Sequence, residues 1–414
     1  GNPGGSGGGA PAPVGPGGGN PGGPGGGGLP EGVPPIAGGG GPGGVSPIPG
    51  GGPGNFPPPP PLPSGLAPEG INGDQLAGFN PEDFGQFQPG QIQVMPPEAM
   101  GGMNPMQVGF IPPETMGGFQ PGQIQVMPPE AMGGIKPEQM AFLPPKAMGG
   151  MNPEQFGFIP PEAMGEMDRD QFEFLPPKAV KGFSPEQFEA LSSDVFGGFQ
   201  PGHIKQLPKD FFPEFDPKAF ELLSPEAMGG FKPKTFGALP TDLMGELQPD
   251  QLAELSGKVI KNFDPEQFDA LKPGAFQGFQ ADQIKGLPKD LIGEISPDEF
   301  SNFTPDAISG LKPSAGKNLD PAVFETLDAE QISGFKPRTF RKLDGEQIEG
   351  IPAKAFKGLT PDQGKKMNQV VASDFAPAQI RLIQPECLAS LPDPVFQLLE
   401  GDLSASQLNG LEAL

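Results

Sequence analysis

Residues 263–278 read FDPEQFDALKPGAFQG. Two octads are written there in tandem, Phe263 to Ala270 and Leu271 to Gly278. Each starts on a large apolar residue and places a second one five positions later, at Phe268 and Phe276. Working outward, the first series runs without a break from Ile71 to Leu399, and all 42 of its positions are large and apolar. The second runs from Leu76 to Phe396 and lapses only at Gly316, Gly364 and Ala372. A fixed short period of this kind identifies a tandem-repeat solenoid, in which each unit buries its apolar face only against its neighbours.

The remaining positions of the octad predict its local structure. The second holds Ser, Asp, Asn or Thr in many copies, side chains whose oxygen accepts from the free N–H groups at a helix start. The third is Pro in 28 of 41 octads, the favoured first helical residue because its missing N–H would be unpaired anyway. Acids follow, where the helix dipole attracts negative charge. Gln at the fifth position can reach back to the cap, as in a capping box. The next octad's Pro then ends the turn, because the residue before proline resists helical dihedrals. Each octad is therefore expected to form one short α or 3-10 turn. Proline at a fixed place would remove a ladder donor from every repeat of a β-solenoid.

Adjacent octads differ. Phe183, Leu191, Phe199, Leu207, Phe215 and Leu223 alternate a flat ring with a branched side chain. This alternation suggests a 16-residue unit, so two octads are expected to form one coil. Residues 1–65 are Gly/Pro-rich and predict an extended arm or linker; the octapeptide-repeat solenoid spans 66–399. After Leu399 the phase slips by four, so 400–414 is read as a C-terminal closing segment. A lone octad buries two large side chains, worth about 1.5–3 kcal/mol each. Ordering its eight residues costs roughly 12 kcal/mol, so only contacts between coils can hold it.

Composition narrows the function. Net charge is −24, and the eight acids of residues 1–135 precede the first cation, Lys136. Such a surface disfavours nucleic acid and anionic lipid. No run of 18 apolar residues occurs, so no membrane insertion is expected. The one histidine, His203, takes a slot usually held by Gln or Ala, and reads as a capping or surface residue. The one cysteine, Cys387, reads as a packing residue, with a link to another chain as the sharper alternative. One His and one Cys cannot build a histidine triad or a conventional zinc site. No catalytic, cofactor-binding or metal-ligating residue is singled out, and no enzyme is expected. Calcium remains possible, but neither the EF-hand pattern nor the GGxGxD nonapeptide supports it.

The strings GF-x-PEQF-x-x-L-x-P-x-AF-x-GL and MPPEAMGGM resemble the repetitive stretches of large secreted or cell-surface proteins of aquatic bacteria, cyanobacteria included. The resemblance covers residues 71–399. It implies an extracellular or cell-surface setting and a structural role, with no active residues to carry over. The expectation is a structural protein that self-assembles into a fibre or surface layer, through stacked solenoid units and docking of the arm at 1–65. The alternative is a monomeric adhesin stalk or binding module for calcium, a glycan or ice.

Overall fold

The computed structural model describes Leu62 and residues 65–414. The arm expected over 1–65 lies outside the described residues, apart from Leu62 and Gly65. From Pro68 onward the chain is a succession of short helices, mostly of three to six residues, some α and some 3-10. No strand occurs among the described residues.

The helices form as the octad dictates. Helix Pro185–Glu189 is entered from Ser184, which is extended (φ −93°, ψ 159°) and accepts the Gln187 N–H on its side chain. Pro185 then starts the helix. The exit is equally regular. Met127 and Pro128 are both extended, with ψ 139° and 137°, between helices Pro121–Val126 and Pro129–Met132. Each of the two precedes a proline, Pro128 or Pro129, which holds it out of helical dihedrals.

Both apolar series turn inward. Of the first, Phe79 alone is half-buried and the rest are buried; of the second, Phe396 is the half-buried member. The fifth position is buried as well, usually by Ala or Val in one octad and by Gln in the next. These side chains join one continuous core along the chain.

The contacts between helices correct the expected 16-residue coil. Helix Pro153–Gly157 packs on Pro129–Met132 and on Ala179–Gly182, and helix Pro121–Val126 packs on Pro97–Gly102 and on Pro145–Met148. Partners thus lie about three octads away, and bonds between coils span 28 and 31 residues. One coil takes more than three octads and fewer than four. The physical reason for the alternation is different from the one expected. A step of three octads is odd, so a Gln-type helix packs against helices of the other type, as Pro153–Gly157 with Gln155 does between Pro129–Met132 with Ala131 and Ala179–Gly182 with Ala179. The 16-residue rhythm records which side chains face each other across coils, not the length of a coil.

Small residues set the coil spacing. A Cβ on Gly182 would overlap the Pro153 carbonyl oxygen, and one on Gly134 would overlap that of Pro105. Glycine at the eighth position lets the backbone of one coil sit directly on the next. The closing segment keeps the same logic in a longer element. Helix Ala405–Glu412 starts from a Ser404 cap, and Gln407 donates to the carbonyls of Ile380 and Ile383 at 2.8 Å each.

Candidate functional site

The side chains with the most demanding environment are the fifth-position glutamines. At Gln155, Oε1 accepts the Asn152 N–H at 3.0 Å. Its Nε2 donates to the carbonyls of Ile124 at 2.6 Å and Met127 at 2.8 Å, in the preceding coil. One buried amide therefore caps its own helix and pins that helix to the coil before it. The Nε2 bonds to the preceding coil recur at every fifth-position Gln from Gln107 to Gln379, and the Oε1 cap bond at all of them but Gln267. Gln267 is the loosest copy, with both Nε2 bonds at 3.3 Å and no partner for Oε1. The reach back to the cap was readable from the capping-box spacing. The bonds to the previous coil were not, since their partners are 28 and 31 residues away.

His203 takes this role in its own octad. It is 1 % exposed. Its Nδ1 lies 2.9 Å from the Gln200 N–H and its Nε2 2.7 Å from the Leu175 carbonyl. An N–H can only donate and a carbonyl can only accept, so the ring is neutral with its proton on Nε2. Burial pushes the His203 pKa down, and the Leu175 carbonyl partly opposes that shift. His203 is a buried coil pin, whereas the sequence suggested a capping or surface residue; only the capping half of that reading describes it.

Cys387 is 1 % exposed, and burial pushes its thiol up to about 11. That suits packing and leaves its sulfur out of reach of another chain. The lapses at Gly316 and Gly364 are filled from neighbouring coils. A Cβ on Gly316 would come within 2.9 Å of Thr339 Cγ2, and one on Gly364 would overlap the Ser390 hydroxyl.

Two surface features depart from a plain polar exterior. Val94, Phe110, Val126, Phe142, Phe158 and Phe174 recur every 16 residues at the eighth position of Gln-type octads, and all are exposed. The four phenylalanines are 40–49 % exposed. The second feature is an open groove of about 610 Å³ lined by Lys285, Lys312, Lys336, Arg338, Arg341 and Lys366. Among the described residues, no group of three or more His, Cys, Asp and Glu side chains is placed to hold a metal ion. No helix there is long and apolar enough to cross a membrane. No protein-family model matches this chain, and no curated protein matches it.

Proposed function

We propose that this chain is an extracellular structural protein whose solenoid of octads self-assembles into a fibre or surface layer. The observation that carries the reading is the exposed series at Phe110, Phe142, Phe158 and Phe174. Burying a phenylalanine side chain is worth about 1.5–3 kcal/mol, and since two octads are only half to two-thirds of a coil, Phe142, Phe158 and Phe174 offer such contacts on more than one side of the solenoid. A second copy is the natural cover, because a repeating surface meets an identical repeat at every step. A regular register with unequal faces in contact gives open filaments rather than closed rings. The resemblance to repetitive surface proteins supports the extracellular setting.

The test compares the full chain, a chain lacking residues 1–65, and the variant carrying Phe110→Ser, Phe142→Ser, Phe158→Ser and Phe174→Ser. Electron microscopy and light scattering over rising concentration read the assemblies. Filaments from the full chain that shorten or vanish in the serine variant are expected. Monodisperse single chains in all three samples at high concentration would end the proposal. Loss on removal of the arm alone would move the contact from the phenylalanines to residues 1–65.

A further inference from the structure

The chain carries 26 cations against 50 carboxylates, yet six cations and no carboxylate line the groove at 285–366. Two of the four arginines in the whole sequence, Arg338 and Arg341, are among them. The convergence follows from the fold. Helices Pro313–Gly316, Pro337–Phe340 and Pro361–Lys365 pack in succession, which brings Lys312, the 336–341 turn and Lys366 together from three coils. The two ion pairs among the described residues, Lys272–Glu246 and Lys365–Asp362, involve none of the six.

The floor of the groove is fixed. Gly310, Leu311 and Thr339 are buried there, and the Thr339 hydroxyl donates to the Leu311 carbonyl at 2.9 Å. Gly316 leaves the room that Thr339 occupies. Six like charges in one depression repel each other, and no carboxylate of the chain lines it to offset them. An anion bound there recovers that energy. Arginine presents a planar fork that matches two oxygens of a phosphate or sulfate, and lysine adds point charge. No aromatic residue lines the groove, so a base has nothing to stack on. The chain's net charge of −24 repels a long polyanion along most of its length.

We infer that this groove binds a compact multivalent oxyanion bearing phosphate or sulfate groups. The site does not depend on the self-assembly reading. Isothermal titration of the full chain with tripolyphosphate, and separately with a sulfated disaccharide, tests it at low and high salt. A variant with Lys312→Gln, Arg338→Gln and Arg341→Gln is compared with a control carrying Lys209→Gln, Lys258→Gln and Lys261→Gln. Circular dichroism checks that both remain folded. The expected result is binding at low salt that weakens at least tenfold in the groove variant, with a shallower salt slope, and is unchanged in the control. Binding of one ligand alone identifies the oxyanion source, and binding of both supports the shared chemistry. No binding of either, equal binding by the groove variant, or equal loss in the control overturns the site. A salt-sensitive self-association lost in the groove variant, with neither ligand bound, would assign the groove to acidic coils of a second copy and overturn it too.

Discussion

Replacing Gln155 by Ala removes one cap and two bonds between coils. Three groups lose their partner: the Asn152 N–H, the Ile124 carbonyl and the Met127 carbonyl. They are not equally affected. The Ile124 carbonyl also takes the Met127 N–H at 3.1 Å and keeps a donor. The Met127 carbonyl has no other donor among the described residues. A buried polar group left unpaired costs about 1–3 kcal/mol, and a lost cap adds about 1 kcal/mol. The sum is about 3 kcal/mol, held locally because each coil touches only its neighbours. A global melting curve would spread that loss over a long array in which two-state behaviour fails. Hydrogen exchange read peptide by peptide is the suitable assay. Peptides covering 124–131 and 152–159 should exchange about a hundredfold faster, since each 1.4 kcal/mol is a factor of ten. Peptides several coils away should be unchanged. Gln155→Glu keeps an acceptor for the Asn152 N–H but loses the donor, so it should open the junction to 124–127 while sparing the cap. Unchanged exchange at 124–131 in both variants would refute the idea that the amide holds the coils together.

Three further outcomes follow from the same geometry. Gly182→Ala should lower stability by more than 1 kcal/mol, because the neighbouring backbone must move, whereas Gly274→Ala, with open space around its Cβ, should be neutral or gain about 0.4–1 kcal/mol; urea titration of both distinguishes them. His203 has its pKa lowered on folding, so below the ordinary histidine value of about 6.5 the unfolded chain binds more protons than the folded one, and stability falls with falling pH until the lowered pKa is passed. His203→Gln should remove this loss, read as the difference in melting temperature between the two proteins at pH 7 and pH 5. Cys387, with its thiol pushed up to about 11, should resist iodoacetamide at pH 8 in the folded chain and react once urea unfolds it; rapid labelling of the folded protein would contradict its burial.

Much of the local structure was legible because its causes are local. Ser184 caps, Pro185 starts the helix, and Gln187 returns to the Ser184 N–H at 2.8 Å, all within four residues. Burial of Phe183 and Phe188 follows from their spacing on one turn. What could not be read was the number of octads in a coil. That number depends on the rotation each short helix and its two extended residues contribute, and a sequence period fixes the unit without fixing this angle. The alternation of Phe183 with Leu191 pointed to two octads, while Pro153–Gly157 packs on helices three octads away, Pro129–Met132 and Ala179–Gly182, and the Gln155 bonds to Met127 and Ile124 span 28 and 31 residues. The groove at 285–366 was hidden for the same reason. Lys285, Lys312, Arg338 and Lys366 are scattered along the chain and meet only once the coil length is known. The exposed phenylalanines at the eighth position were present in the repeat, but nothing in the spacing separates an outward Phe158 from an inward Phe156.

The coil length is tested most directly by distances between paired nitroxide labels on exposed helix residues, in a Cys387→Ala background. One pair sits at Glu130 and Glu154, on helices that pack together; the other at Glu130 and Lys146, two octads apart. Packed helices lie about 8–10 Å apart, so strong dipolar broadening is expected for Glu130 with Glu154, and a longer separation for Glu130 with Lys146. The reverse order, with the second pair closer, would restore the two-octad coil and contradict the account.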